Sequence, residues 1–165
     1  MVPACPPLVQ LPRPAPILDL GCGPGNTANE LAAGAYRSYV GIDVSDVALS
    51  KARRRSEESG RGQKNAFINA DLLTYVPAGR FDVILLRESI YHVSVGQLAP
   101  LLERYSECLT KEGVFIVRVV VLGRHTSKAK LRVIERGFDV VEKAQHSGEG
   151  LTVVVFRPRT PPAVR

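Results

Sequence analysis

The stretch of residues 17–26, ILDLGCGPGN, constrains the fold more than any other part of the chain. Its first four residues are apolar around one carboxylate, a pattern typical of a short buried strand. Glycines follow at alternate positions, Gly21, Gly23 and Gly25, and helix-forming residues begin at Asn26. Glycine has no Cβ, so this turn adopts unusual dihedral angles and lets a ligand lie against bare backbone. The stretch therefore predicts a strand, a ligand-binding turn and a helix in succession.

Strand and helix patterns alternate along the rest of the chain. After the strand at 17–20, apolar strands are predicted at 38–43, 65–71, 81–86, 113–122, 138–141 and 151–156. Helices are predicted at 26–32 with Asn26 or Thr27 as its cap, from a Ser45 N-cap to near Gly60, at 95–109 and at 128–136. Such alternation gives βαβ units, and therefore a parallel sheet with helices on both faces. Residues 146–150 are too few for a crossover, so the last two strands form an antiparallel hairpin.

The predicted fold class is thus α/β, a three-layer doubly wound sheet, and the chain predicts a single domain. Its 165 residues suffice for a buried core without disulfides or metal. Residues 1–16, with six prolines, form an extended lead-in, residues 17–157 the domain and residues 158–165 a loose tail. Three cysteines without a close pair argue against a disulfide framework and a zinc site.

Targeting signals are not visible in the sequence. No apolar run approaches the roughly 20 residues that span a bilayer. Prolines interrupt the N-terminal region where a secretory signal would have its apolar core. We therefore expect a cytoplasmic protein that does not act at a membrane.

Carboxylates lie at the ends of the first three predicted strands. Asp19 belongs to the first strand, Asp43 ends the second and Asp71 ends the third, and the fourth leads into residues 87–92, RESIYH. In an open α/β sheet, ligands bind outside the carboxyl ends of the strands. The sequence therefore predicts that four separate segments converge on one cleft.

The glycine spacing discriminates between cofactors. Nicotinamide and flavin sites use G-x-G-x-x-G, whereas this chain has G-x-G-x-G with Asn26 at the sixth position. With its three aspartates, the chain resembles the class I S-adenosylmethionine-dependent methyltransferases over residues 17–156. The segments similar to the first four family motifs are ILDLGCGPGNTANEL, VGIDVS, NADLL and FDVILLRESIYHV. The resemblance implies S-adenosylmethionine as cofactor and seven strands in the order 3-2-1-4-5-7-6, with strand 7 antiparallel.

The resemblance also implies roles for individual residues. The backbone around Gly21 and Gly23 would face the methionine and ribose parts of the cofactor, with Asp19 near the amino group. Asp43 would accept hydrogen bonds from the two ribose hydroxyls, and Asp71 from the adenine amino group. The remaining residues of the predicted cofactor site are Cys22, which is expected to fill space as a small side chain, Asn26, Thr27, Val44, Leu72, which contributes backbone contact, and Arg87 near the carboxypropyl arm.

Candidate catalytic residues follow the fourth strand. A base is required only when the acceptor carries a proton at neutral pH, and Glu88, Tyr91 and His92 are the candidates. If this segment is helical, Glu88 and His92 lie at positions i and i+4 on one face. The alternative is that Tyr91 and His92 only pack the start of the next helix.

The acceptor is expected to be a small molecule methylated on oxygen or nitrogen. Residues 87–90 differ from the N-P-P-Y-like run of adenine-N6 and glutamine methyltransferases, and Cys108 lies at a predicted helix end rather than at a cytosine-C5 site. The runner-up is RNA or protein, favoured by the net charge of +6 and by the basic segments 51–55 and 124–130. The basic segments are also compatible with solvated helix faces. A non-catalytic subunit that binds S-adenosylmethionine is a third reading.

The sequence does not specify what covers the cofactor site. Family members commonly carry a helix or more before the first strand, where this chain has the proline-rich lead-in. Three expectations follow from this difference. The site is open and takes a large acceptor, or a homodimer or other partner subunit covers it, or the lead-in folds over it.

Overall fold

The computed structural model describes residues 14–121, 125–146, 148 and 150–159. The predicted lead-in and tail therefore lie largely outside the described residues. The strands are β1 (Ala15–Leu20), β2 (Tyr36–Asp43), β3 (Asn65–Asn69), β4 (Phe81–Arg87), β5 (Leu109–Val120), β6 (Phe138–His146) and β7 (Leu151–Pro158). The helices are α1 (Asn26–Glu30), α2 (Asp46–Glu58), α3 (Val95–Ser106) and α4 (His125–Gly137), with a 3-10 turn at Ile90–His92.

The strands form one sheet in the order β3-β2-β1-β4-β5-β7-β6. The neighbours from β3 to β5 pair in parallel, and β7 is antiparallel to both β5 and β6. This confirms the predicted order, the antiparallel strand 7 and the terminal hairpin. It also brings the carboxyl ends of β1, β2, β3 and β4 to one edge of the sheet.

Alternating residues of the central strands supply two separate cores. Ile17 of β1 packs on the side of α1 and α2, together with Ala28, Leu49 and Ala52. Leu18 packs on the opposite side, in a cluster that includes α3 and α4 residues. Successive side chains of a strand point to opposite faces, so the near-continuous apolar strands of the sequence are buried on both faces, as predicted.

Several element bounds differ from the predicted ones. β1 begins at Ala15 rather than at residue 17, because Ala15 already pairs with Tyr36 of β2. β5 begins at Leu109, which pairs with Phe81, so α3 ends at Ser106 instead of running to residue 109. In both places pairing with a neighbouring strand extends a strand beyond the bounds that local sequence indicated.

The two predicted helix caps had different outcomes. Ser45 caps α2 as predicted, because its Oγ accepts a hydrogen bond from Ala48 N–H (3.2 Å). The prediction of Asn26 or Thr27 as the cap of α1 was wrong. Gly25 occupies that position at φ 74°, with no side-chain cap. Both predicted caps accept from arginines instead, as described below.

Within the described ranges, no helix is both long and apolar enough to cross a membrane. The same residues contain no group of three or more histidine, cysteine or acidic side chains arranged to hold a metal ion.

Candidate functional site

The glycine loop is fixed to the end of β2 by its own backbone. The N–H groups of Gly21 and Cys22 both donate to the Ile42 carbonyl (2.9 Å each). Gly21 has φ +81°, and a Cβ at this position would lie 2.5 Å from Ser89 Cβ. Gly23 has φ +53° and open space where a Cβ would stand. The loop therefore packs closely against the segment after β4 at Gly21 and presents open backbone at Gly23.

The Asp43 carboxylate lies beside this open backbone. Its Oδ2 accepts from Gly23 N–H and its Oδ1 from Ser45 N–H (2.9 Å each). Each oxygen keeps further acceptor capacity after these bonds. Val44, the next residue, has 68% of its surface exposed. The end of β2 thus combines an oriented carboxylate with an exposed apolar side chain.

Asp19 is held beneath this surface and is only 1% exposed. Its Oδ2 accepts a hydrogen bond from the Tyr39 hydroxyl, whereas its Oδ1 is buried without a hydrogen-bond partner among the described residues. Burial raises the pKa of Asp19 to about 6, against the Tyr39 hydrogen bond and the positive charge of Arg87, which lower it. A buried carboxylate oxygen without a partner is costly, and it calls for a ligand or a functional explanation.

The raised pKa of Asp19 predicts how its replacement affects stability. From pH 3.8 to about 6 the folded chain binds more protons at this site than the unfolded chain, so folding loses stability there as pH rises. At pH 7.5, Asp19→Asn should therefore raise the free energy of unfolding by about 1–3 kcal/mol. Urea denaturation of both proteins from pH 4 to 8 checks this. The difference should grow up to about pH 6 and then stay level, and a difference independent of pH would contradict the assignment.

Arg87 joins the end of β4 to α1. Its Nη1 forms an ion pair with Glu30 Oε2 (2.6 Å) and donates to Thr27 Oγ1 (3.4 Å). Asn26 is turned toward α2, where its Oδ1 accepts from Arg55 Nη1 (2.7 Å). Thus Arg87 and Thr27 lie together near Asp19, while the Asn26 amide oxygen is engaged by a helix outside the loop.

Cys22 is buried, and a Cβ at Gly41 would lie 2.7 Å from its Sγ. Burial raises the pKa of its thiol, with the charges of Asp19 and Asp43 acting in the same direction. A thiol that stays protonated is a poor nucleophile. The geometry agrees with a space-filling side chain beneath the loop.

Asp71 lies two residues beyond the end of β3 and is exposed, with Oδ1 accepting from Leu73 N–H (2.8 Å). The backbone that follows is held by α3. The Leu72 carbonyl accepts from Arg104 Nη2 (3.0 Å) and from the Tyr105 hydroxyl (2.8 Å). This segment follows β3, so it lies at the same edge of the sheet as the ends of β2 and β1.

The segment after β4 is not an α-helix. Glu88 stands at φ 61° and precedes a 3-10 turn at Ile90–His92, so Glu88 and His92 do not share a helix face as the sequence suggested. Glu88 Oε1 forms an ion pair with Arg118 (2.6 Å), and its Oε2 accepts from the Tyr91 hydroxyl (2.8 Å). The Tyr91 hydroxyl in turn accepts from Val120 N–H (2.7 Å). Glu88 and Tyr91 are therefore anchored to β5.

His92 does not belong to that network and is exposed. Its backbone N–H closes the 3-10 turn on the Ser89 carbonyl (3.1 Å). The structure therefore brings Glu88 and Tyr91 together and leaves the His92 side chain on the surface.

Comparison with known proteins identifies the family. The model of a family described as "Methyltransferase domain" matches residues 17–113, more than half of the chain. The chain belongs to this methyltransferase-domain family. The matched region contains the glycine loop, Asp43, Asp71 and the Glu88 segment, so the predicted family resemblance is confirmed.

Relatives of this methyltransferase domain differ in what they are named for. A ubiquinone biosynthesis O-methyltransferase of Thiobacillus denitrificans is 38% identical over 77 residues, covering 47% of this chain and 33% of the relative. An mRNA cap guanine-N(7) methyltransferase of Schizosaccharomyces pombe is 27% identical over 139 residues, covering 77% and 39%. The chain thus spans well under half the length of these relatives.

A solved structure shares the fold. The N-methyltransferase NodS from Bradyrhizobium japonicum, crystallised with S-adenosyl-L-homocysteine, superposes with a TM-score of 0.74. The sequences are 19% identical, and the alignment covers 90% of this chain and 80% of NodS.

The basic segment 51–55 of the methyltransferase domain is largely occupied within the fold. Arg53 donates to the Phe67 carbonyl (2.8 Å), and Arg54 lies 3.7 Å from Glu58. Arg55 donates to the Pro24 carbonyl (2.9 Å) as well as to Asn26. Three of its four cations therefore have intramolecular partners. In the second basic segment, residue 124 lies outside the described residues.

Sequence reasoning missed four residues around the cleft: Tyr39, Ser89, Arg118 and Lys130. Tyr39 and Arg118 hydrogen-bond Asp19 and Glu88, and Ser89 packs against Gly21. Lys130 donates to the Ile90 carbonyl (2.9 Å) from α4. Ser89 lies in the predicted segment 87–92, and Lys130 lies in the basic segment 124–130, where it was predicted only as part of a surface for RNA or protein. Tyr39, Arg118 and Lys130 make their contacts across 20 to 40 residues, which no local pattern reports.

Proposed function

We propose that this chain is an S-adenosylmethionine-dependent methyltransferase domain that transfers a methyl group to an oxygen or nitrogen atom of a small-molecule acceptor. The observation that carries the proposal is Asp43, oriented by Gly23 N–H and Ser45 N–H beside open glycine backbone. A carboxylate so held suits two adjacent hydroxyls of a ribose. Membership of the methyltransferase-domain family supports S-adenosylmethionine as the cofactor. The structurally similar NodS, whose structure is a complex with S-adenosyl-L-homocysteine, supports it as well.

The residues of the cleft fit this cofactor. The unpartnered Oδ1 of Asp19 supplies negative charge for an ammonium group, and Gly23 leaves room for a ligand against the backbone. We assign Asp43 and exposed Val44 to the ribose and its neighbourhood, and Asp71 with the Leu72 backbone to the adenine. Near the methionine part we place the backbone of Gly21, Cys22 and Gly23, and the side chains of Thr27 and Arg87. Asn26 contributes only through its backbone, because Arg55 holds its side chain.

The chemistry asks for alignment more than for proton transfer. The bound sulfonium would supply an electrophilic methyl group, so the protein's task is to orient the acceptor in line and to exclude water. The ion pair with Arg118 orients the Glu88 carboxylate, which we assign to accept a hydrogen bond from the acceptor. Tyr91 orients Glu88 through its hydroxyl. We assign proton release to His92, whose side chain is exposed to solvent.

The intramolecular contacts of the arginines in segment 51–55 favour a small acceptor over RNA. Arg53, Arg54 and Arg55 are engaged with the Phe67 carbonyl, Glu58 and the glycine loop, so their guanidinium groups have partners within the fold. The ubiquinone-pathway relative is also named for a small-molecule reaction. The relative named for the mRNA cap makes RNA the second candidate.

A methyl-transfer screen tests the proposal. The chain is incubated with methyl-labelled S-adenosylmethionine and separate pools of metabolites, RNA and protein. We expect label in the metabolite pool, lost in Asp43→Ala and retained in Asp139→Ala, an exposed carboxylate on β6. Label confined to RNA or protein would overturn the small-molecule assignment. Cofactor binding without transfer to any pool would favour the non-catalytic subunit.

A further inference from the structure

Lys130 is a buried cation that the proposed chemistry does not use. It lies on α4 and is 4% exposed. Its Nζ donates to the backbone carbonyls of Ile90 (2.9 Å) and Tyr91 (3.3 Å), in the 3-10 turn after β4. Among the described residues no carboxylate forms an ion pair with it, and burial lowers the pKa of the amine.

Burying an ammonium group without a carboxylate is expensive. Ile90 of this turn is fully buried, so water does not readily replace a donor at its carbonyl, but a neutral donor would satisfy that carbonyl without burying a charge. The Ile90 carbonyl already accepts from Val93 N–H (3.2 Å), and Lys130 adds a second, charged donor. The feature that Lys130 secures is the position of the turn relative to α4.

The same turn is fixed from two other directions. Glu88 and Tyr91 are bound to β5 through Arg118 and Val120 N–H. Ser89 packs on Gly21, so any shift of the turn reaches the glycine loop. Residues 88–92, which we call the acceptor turn, are therefore held between the glycine loop, β5 and α4. Glu88 also keeps its left-handed φ of 61°, a strained conformation that persists only where its surroundings enforce it.

The adenine side of the cleft offers a matched case. Arg104 of α3 donates to the Leu72 carbonyl (3.0 Å) and the Leu73 carbonyl (2.5 Å), as Lys130 of α4 does to the acceptor turn. Helices α3 and α4 lie on the same face of the sheet, and each contributes one cationic side chain that donates to backbone carbonyls of a proposed ligand-binding segment. The two cations hold different segments, and they also differ in burial, because Lys130 is buried and Arg104 is exposed.

We propose that Lys130 is a positioning residue that sets the acceptor turn, and with it Glu88, for the methyl acceptor. This inference rests on the proposed function, because it assigns the acceptor to the Glu88 side of the cleft. Lys130 acts through the Ile90 and Tyr91 carbonyls and touches neither ligand. Its loss should impair use of the acceptor and leave affinity for the cofactor intact.

The test compares Lys130→Met with Arg104→Met in the full chain. Three quantities are measured: the Kd for S-adenosylmethionine by calorimetry, amide hydrogen exchange of residues 88–93, and kcat and KM with the acceptor found in the screen. For Lys130→Met we expect a cofactor Kd within about twofold of the wild type, exchange at least tenfold faster and kcat/KM at least thirtyfold lower. Arg104→Met should instead raise the cofactor Kd at least fivefold and leave exchange at residues 88–93 unchanged.

Two results would overturn the inference. One is a loss of cofactor affinity in Lys130→Met equal to that in Arg104→Met, and the other is unchanged exchange and kcat/KM. If Lys130→Met does not fold, Lys130→Gln, which keeps a shorter N–H donor, is judged by the same criteria. A wild type that methylates nothing would refute the proposed function, and the exchange data would still decide whether Lys130 positions the turn.

Discussion

Gly21→Ala should severely weaken cofactor binding, with a rise in Kd of about 30- to 700-fold. The new Cβ would stand 2.5 Å from Ser89 Cβ, on a residue at φ +81°. The left-handed backbone and the overlap together cost about 2–4 kcal/mol, which the loop can relieve only by moving away from the acceptor turn. Such a movement breaks the hydrogen bonds of Gly21 and Cys22 to the Ile42 carbonyl. Calorimetry with S-adenosylmethionine measures the effect.

Two further variants identify the cause of the affinity loss in Gly21→Ala. Gly79→Ala, at a glycine with open space around it and no left-handed φ, should bind like the wild type. Adding Ser89→Gly to Gly21→Ala removes the side chain in the way and should restore at least tenfold of the lost affinity. If the double variant binds no better than the single one, the contact between the glycine loop and the acceptor turn is not what limits this site.

Asp43→Ala should weaken S-adenosylmethionine binding by about 10²–10⁴-fold, since it removes two charge-assisted hydrogen bonds worth about 1.5–3 kcal/mol each. It also leaves Gly23 N–H and Ser45 N–H without their acceptor. Asp43→Asn keeps one oxygen and should fall between the alanine variant and the wild type.

The control for this series is Asp139→Ala. Asp139 lies on the edge strand β6, and its exposed carboxylate is 3.7 Å from the Arg159 side chain. This variant should bind the cofactor like the wild type. Circular dichroism and thermal melting of each variant separate a lost contact from a lost fold. An Asp43→Ala variant that folds and binds within threefold of the wild type would remove Asp43 from the cofactor site.

The strands of the sheet were predictable because their information is local, whereas the order of the strands came from the family resemblance. Each strand of the core is an apolar run bounded by turn residues, and the short 146–150 connection specifies the terminal hairpin. Ser45 followed by an amphipathic segment was enough to predict the start of α2. The positions of Asp19, Asp43 and Asp71 at one edge then followed from parallel strands alone.

The acceptor turn was not predictable in the same way. Residues 88–92 have a sequence compatible with a helix, yet Glu88 takes a left-handed conformation because Arg118, Tyr91 and the packing of Ser89 on Gly21 act on it together. Lys130 is similar, since helical periodicity gives no reason for its burial. Contacts between residues that are far apart in sequence cannot be predicted from spacing along the chain.

The most direct test of the account is a calorimetric titration of the wild-type chain with S-adenosylmethionine, S-adenosylhomocysteine and NAD⁺. The G-x-G-x-G loop with Asp43 beside it predicts one site that binds both sulfur compounds and binds NAD⁺ at least 100-fold more weakly. Binding of NAD⁺ as tight as that of S-adenosylmethionine, or no binding of either sulfur compound by the folded chain, would contradict it.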